Sequence, residues 1–236
     1  MNYAILLAGG TGTRISSDIP KQYVRVGSHM MITVALKTLL ECDRIDGVCI
    51  VADPSRRPEI ESDIRSVGLD AEKVVPYANP GVNRQTSAFN GMNELIGKNG
   101  EPRENDTVLI HDAARPLLSK ELLNNIYTAL EGHDGVMPVL PMKDTVYLSE
   151  DGNRVSGLLD RSKVYAGQAP ELFLFKKYYD ANASLMPDKI LGVNGASEPA
   201  IMAGMDMAMI PGDEGNFKVT TDADMDRYLA IVGENR

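Results

Sequence analysis

The chain has 236 residues, 43% apolar and 24% charged, the make-up of an ordinary globular protein of single-domain size. Its formal net charge of -9 repels polyanions at long range and argues against nucleic-acid binding through a broad basic face. Cys42 and Cys49, with the scattered His29, His111 and His133, offer neither metal-ligand spacing nor a disulfide framework.

No apolar run reaches membrane-spanning length, and Met1 to Leu7 lacks the basic start and cleavage site of a signal peptide. The expected location is therefore the cytoplasm, with no membrane partner.

In chain order, Tyr3 to Leu7 reads as a buried strand, and Met31 to Cys42 puts Ile32, Ala35, Leu36 and Leu39 on one helical face. Strand patterns follow at Gly47 to Ala52, Lys73 to Pro76, Thr107 to Ile110, Gly135 to Leu140 and Met205 to Ile210. Helical patterns alternate with them at Pro58 to Val67, Asn83 to Ile96, Ser119 to Leu130, Leu174 to Ala183 and Asp222 to Val232. This rhythm predicts an α/β fold: a Rossmann-like, mostly parallel sheet with helices on both faces, in one domain over residues 1–236.

Met142 to Leu159 breaks the rhythm, because β-like runs flank the turn signal Glu150-Asp151-Gly152-Asn153. It reads as a projecting β-hairpin arm at about 142–160. A two-stranded arm is marginal in water unless it packs on something, so a homodimer through the arm is expected.

The chemistry concentrates in Leu7-Ala8-Gly9-Gly10-Thr11-Gly12-Thr13-Arg14, followed by Pro20-Lys21-Gln22-Tyr23. The loop follows a strand, where open α/β sheets bind ligands. Its glycines let backbone N–H groups approach phosphate oxygens, while Arg14 and Lys21 add cationic donors. A dinucleotide fingerprint fails because Ile15 stands at its third glycine, and no P-loop sequence occurs. A tight strand-to-helix turn without a ligand is the plainer reading of the glycines; Arg14 and Lys21 favour a triphosphate cradle.

These segments resemble the signature of nucleotidyltransferases, and specifically of the family containing 2-C-methyl-erythritol 4-phosphate and ribitol-5-phosphate cytidylyltransferases. The resemblance implies a nucleotide-diphospho-sugar transferase-like fold. It also implies that Leu7, Ala8, Gly9, Gly10, Thr11 and Gly12 hold CTP. Pro80-Gly81-Val82-Asn83-Arg84-Gln85-Thr86-Ser87 resembles the family's second nucleotide segment, assigning Gly81, Asn83, Arg84 and Ser87 to the nucleotide. The family more often has acidic residues at Val82 and Asn83, and a plain helix start capped by Asn83 fits the residues equally well.

Four further segments fall in the family's order. His111-Asp112-Ala113-Ala114-Arg115-Pro116 implies acceptor contacts from Asp112, Ala113 and Arg115, with a structural Asp112–Arg115 ion pair as the alternative. Lys143-Asp144-Thr145 implies that Thr145 touches the acceptor. Asp160-Arg161 and Asn216-Phe217-Lys218-Val219-Thr220-Thr221 imply that Arg161 and Lys218 grip the acceptor phosphate.

The implied reaction is attack of an alditol phosphate on the α-phosphorus of CTP, releasing pyrophosphate. Arg161 and Lys218 orient the attacking phosphate, while Arg14 and Lys21 stabilise the growing charge. Mg2+ is carried by CTP rather than by a protein cage.

Leu7-Ala8-Gly9-Gly10 and Tyr165-Ala166-Gly167-Gln168-Ala169-Pro170 resemble the ribitol branch and favour D-ribitol 5-phosphate as acceptor. Asn194-Gly195-Ala196-Ser197-Glu198-Pro199 departs from both branches. Other readings are a 2-C-methyl-D-erythritol 4-phosphate cytidylyltransferase, a sugar-1-phosphate nucleotidyltransferase using UTP or dTTP, and a non-catalytic nucleotide-binding regulator.

Overall fold

The computed structural model describes residues 1–10 and 19–234. The first half of the chain runs β1 (Asn2–Leu7), a small hairpin of β2 (Arg25–Val26) and β3 (His29–Met30), α1 (Met31–Leu40), β4 (Gly47–Val51), α2 (Arg57–Ser66), β5 (Val74–Ala78), α3 (Arg84–Asn99) and β6 (Thr107–Asp112). The second half runs α4 (Lys120–Thr128), β7 (Gly135–Pro141), β8 (Val146–Leu148), β9 (Gly157–Leu159), β10 (Tyr165–Gly167), β11 (Glu171–Leu174), α5 (Phe175–Ala183), α6 (Ser197–Met202), β12 (Met207–Pro211) and α7 (Asp222–Glu234).

The main sheet has the order β5-β4-β1-β6-β11-β7, with β10 and β12 also paired to β7. β1 lies parallel to β4 and β6, and β12 lies parallel to β7. β11 runs antiparallel to both β6 and β7 and joins two parallel runs into one sheet. Periodicity does not forecast this strand: Glu171-Leu172-Phe173-Leu174 is short and runs straight into α5, so the apolar run reads as the start of a helix.

β1 is buried on both faces, as a central parallel strand requires. Ala4 and Leu6 pack with Leu36 and Leu39 of α1, Ile60 and Ile64 of α2 and Leu122 and Ile126 of α4. Tyr3 and Ile5 pack with Ala88 and Met92 of α3 and with Phe175 and Tyr178 of α5. Full burial of each such aliphatic side chain is worth about 1.5–3 kcal/mol. A Cβ on Gly91 would stand 2.9 Å from Cγ2 of Ile5, so this glycine lets α3 lie close on β1. α7 joins a smaller core in which Met225 and Tyr228 meet Val26, Met31 and Val219.

The arm forms where expected, as a separate two-stranded sheet with Val146 opposite Leu159. Asp151 shapes its turn by accepting from the amides of Asn153 at 2.8 Å and Arg154 at 2.9 Å. Tyr147, Leu148, Val155 and Leu158 of the arm are exposed. Among the described residues, no helix is long and apolar enough to cross a membrane.

Candidate active site

β1 and β6 end side by side, with Leu7 opposite Asp112, so the glycine loop and the His111-Asp112 segment leave the same edge of the sheet. The amide of Ala8 donates to Val51 O at 2.9 Å, and that of Ala113 donates to Leu7 O at 3.0 Å. Behind Pro20, Gln22 Nε2 donates to the carbonyls of Ala8 at 2.7 Å and Gly10 at 2.6 Å, and the Tyr23 hydroxyl donates to Ala8 O at 2.8 Å. Gln22 and Tyr23 thus brace the start of the loop, while Lys21 opens the short 3-10 turn Lys21–Tyr23. Thr11, Gly12 and Arg14 lie outside the described residues.

The second nucleotide segment touches the first. A Cβ on Gly9 would stand 2.6 Å from Cβ of Pro80, so only glycine lets the two loops meet. Gly81 is equally confined, since a Cβ there would stand 2.6 Å from Cβ of Thr86. Asn83 caps α3: its Oδ1 accepts from the Thr86 amide at 2.7 Å, and the Thr86 hydroxyl pairs with the Asn83 amide at 3.0 Å. Asn83 Nδ2 also donates to the carbonyls of Ile190 at 3.0 Å and Leu191 at 3.2 Å. Ser87 Oγ accepts from the Gly81 amide at 2.9 Å and donates to Asn83 O at 2.8 Å. The side chains of Asn83 and Ser87 are therefore committed to the fold here, and the helix-cap alternative describes Asn83.

The charged centre lies on Asp112. Its Oδ1 accepts from Arg84 Nε at 2.9 Å and lies 2.9 Å from Nη2, while its Oδ2 accepts from Lys218 Nζ at 2.8 Å. Burial opposes ionisation, but Arg84 and then Lys218 override it and hold the Asp112 carboxyl well below the usual range. Burial likewise works against the Arg84 charge, and Asp112 foremost restores it.

The Asp112–Arg115 ion pair, the alternative to acceptor contacts, does not form. Arg115 Nη1 donates to Asn216 O at 2.7 Å, and only the Arg115 amide reaches Asp112, donating to its carbonyl at 2.9 Å. Arg84 and Lys218, far away in sequence, take the carboxylate instead.

The neighbouring residues fix this geometry. The Val219 amide donates to Ala114 O at 2.8 Å, and Asn216 Nδ2 donates to Ala169 O at 2.8 Å, holding the segment that presents Lys218. His111 is fully buried and its Nε2 lies 3.0 Å from Arg115 O. Burial pushes its pKa down to about 4, so the ring is neutral at pH 7.

Arg161 and Thr145 are exposed at the base of the arm. Arg161 Nη1 donates to Lys143 O at 2.8 Å and, among the described residues, does not join the cluster around Asp112. Lys143 Nζ pairs with Glu214 Oε1 at 2.5 Å, which ties the arm base to the loop leading to Lys218. Gln168 reinforces this link, accepting from the Asp213 amide at 3.0 Å and donating to Asp213 O at 2.9 Å.

Glu171 is a buried site neighbour that sequence reasoning missed. A single acid in Pro170-Glu171-Leu172-Phe173-Leu174-Phe175 was the available signal, since buried carboxylates need partners. Among the described residues there is no group of three or more His, Cys, Asp or Glu able to hold a metal ion. Asp112, the carboxylate at the centre, already has both oxygens engaged.

A mixed, mostly parallel sheet layered by helices, with a glycine loop and a charged cluster at one edge, defines a nucleotidyltransferase-like α/β protein. The chain belongs to the family IspD, 2-C-methyl-D-erythritol 4-phosphate cytidylyltransferase, whose profile matches residues 2–234. The family consists of nucleotidyltransferase enzymes.

The chain is 31% identical over 226 residues to the 2-C-methyl-D-erythritol 4-phosphate cytidylyltransferase of Geobacillus thermodenitrificans, covering 95% of this chain and 94% of that one. It is also 31% identical over 228 residues to the bifunctional enzyme IspD/IspF of Maricaulis maris, covering 95% of this chain but 55% of that protein. The chain thus spans about half the length of such bifunctional relatives. The 4-diphosphocytidyl-2C-methyl-D-erythritol synthase structure from Anaerococcus prevotii superimposes with a TM-score of 0.81 at 24% identity, covering 98% of each chain, and demonstrates the shared fold.

Proposed function

We propose that this chain transfers CMP from CTP to 2-C-methyl-D-erythritol 4-phosphate. The observation that carries the reading is the Arg84–Asp112–Lys218 cluster beside the glycine loop, in a chain that matches the family almost end to end. Gly9-Gly10 and Tyr165 to Pro170 favour ribitol 5-phosphate, whereas the relative from Geobacillus thermodenitrificans is named for the methylerythritol acceptor.

An acceptor-phosphate oxygen attacks the α-phosphorus, the bond from that phosphorus to the bridging oxygen breaks, and pyrophosphate leaves with the electron pair. Both reactants are anions, so the site must supply positive charge. Arg14 and Lys21 serve the triphosphate; Arg161 and Lys218 serve the acceptor phosphate. Lys218 Nζ donates to Asp112, so an incoming phosphate competes with that carboxylate for the amine. Asp112, Ala113, Arg115 and Thr145 line the acceptor side.

The described residues offer no protein cage for a metal. Mg2+ would ride on the triphosphate, where it supplies charge neutralisation. No side-chain base is required, because the attacking phosphate is already ionised near neutral pH. The exposed arm residues Tyr147, Leu148, Val155 and Leu158 support a second copy of this chain as the partner that covers them.

The test is a pyrophosphate-release assay of CTP, UTP, ATP and GTP against methylerythritol 4-phosphate, ribitol 5-phosphate and glycerol phosphate. Release with CTP and methylerythritol 4-phosphate is expected. Release with ribitol 5-phosphate alone would return the acceptor to the ribitol branch, and nucleotide binding without release would make the chain a regulator.

A further inference from the structure

Beside Asp112 stands a second carboxylate that the transfer scheme does not use. Glu171 opens β11 and pairs in register with Ile110 of β6. Alternate residues of a strand share a face, so Glu171, Ile110 and Asp112 all point to the side of the sheet covered by α3 and α5. Arg84 is the first residue of α3, and its guanidinium lies within the field of both carboxylates while bonding one of them.

Glu171 is only 9% exposed and sits in an apolar run. Its Oε2 is buried without a hydrogen-bond partner among the described residues, and so is Arg84 Nη1, so the two residues face each other's charge without a direct hydrogen bond. An ionisable group in such a place is costly unless it faces an opposite charge. Among the described residues, the charged and titratable groups around Glu171 are Arg84 from α3, Asp112 from β6, Arg115 from the following loop and Tyr178 from α5, with Ser197 of α6 also favouring its charged form. Arg84 is the strongest attraction among them.

We propose that Glu171 is a positioning residue: with Asp112 it brackets the Arg84 guanidinium, and so fixes the side chain that orients Asp112 and Lys218 at the transfer site. This rests on the transfer reading for its catalytic consequence, though not for the bracket itself. Among the described residues, Asp112 has Arg84 and Lys218 as its side-chain partners. When substrate phosphate draws Lys218 away, Arg84 alone holds the carboxylate in place, and a loosely held guanidinium would let it turn. Burial pushes the Glu171 pKa up to about 7, with Arg84 pulling the other way, so the bracket closes as the pH rises through neutrality.

The experiment compares wild type with Glu171→Gln, which keeps the shape and removes the charge, and with Glu171→Asp. Turnover and KM for CTP are followed from pH 5.5 to 8.5. Wild-type turnover should rise with a midpoint near the Glu171 pKa of about 7. Glu171→Gln should lose that limb and run about tenfold slower at pH 8, with KM for CTP changed far less than turnover. Glu171→Asp should recover part of the limb. An unchanged profile in Glu171→Gln would overturn the proposal.

If wild type transfers CMP to no acceptor, the transfer reading falls, and the bracket is judged by carboxyl-13C NMR of glutamate-labelled protein. Replacing Arg84 by Gln should raise the Glu171 titration midpoint, since an attracting charge is lost. Arg84→Lys takes its place, with a smaller shift in the same direction, should the first variant not fold. A midpoint unmoved in the folded variant would overturn the bracket.

Discussion

Arg84 Nε lies 2.9 Å from Asp112 Oδ1, joining the first turn of α3 to the end of β6 across a gap of 28 residues. This contact makes two loops from separate strand-to-helix crossings into one site. It also sets what removal of either partner does.

Arg84→Ala leaves Asp112 with Lys218 as its ion-pair partner among the described residues. Breaking a buried pair from one side costs about 3–5 kcal/mol, and chemical denaturation should read a loss near the lower end because Lys218 remains.

The Asp112 carboxyl is held below its ordinary value, so its contribution is full above the unfolded pKa of about 3.9 and is lost as the pH falls below it. Wild type should lose stability on acidification more steeply than Asp112→Asn, as measured by melting temperature between pH 6 and pH 3.

Glu171 has the opposite sign. Its pKa is raised from 4.5 to about 7, so the folded state holds a proton that the unfolded state has released between those values. Stability therefore falls as pH rises through that window, by at most about 3 kcal/mol. Relative to wild type, Glu171→Gln should gain stability between pH 5 and pH 8; a constant difference in denaturation midpoint would contradict this.

Gly9→Ala drives a methyl group into Pro80 and must spread the two nucleotide loops. Calorimetry should show weaker CTP binding, while overpacking costs about 1–3 kcal/mol of stability.

Arg161 is exposed and, among the described residues, donates to one surface carbonyl, so Arg161→Ala should change unfolding by about 0.5 kcal/mol or less. Turnover should nevertheless fall about 100-fold, because an acceptor cation is lost. Equal turnover would remove Arg161 from the reaction.

Val155→Asp together with Leu158→Asp places charge on the apolar arm. Sedimentation should show a dimer for wild type and a monomer for the double variant. A monomeric wild type would release the arm from this role.

The central strands and the amphipathic helices were legible because parallel strands buried on both faces leave apolar runs such as Tyr3-Ala4-Ile5-Leu6 and helices leave a stripe such as Ile32, Ala35, Leu36 and Leu39. β11 was not legible. Four residues carry too little periodicity, and their antiparallel place between β6 and β7 depends on partners that the local sequence does not name. The same limit applies to α6, whose short run Ser197 to Met202 follows the departure at Asn194.

At the site, residue types were readable and pairings were not. Gly9 stands out in the sequence by its place in a glycine loop after a strand, while Gly81, Arg84 and Lys218 stand out only through the family resemblance. That Asp112 chooses Arg84 and Lys218 over Arg115, three residues away, follows from direction: the Arg115 side chain leaves the turn toward Asn216, while α3 delivers Arg84 and the segment before α7 delivers Lys218 to the carboxylate. Local patterning determined the layers and the kinds of charge this protein presents. Only the tertiary structure decided which charges meet, because ion pairing depends on distances between side chains that sequence separation does not encode.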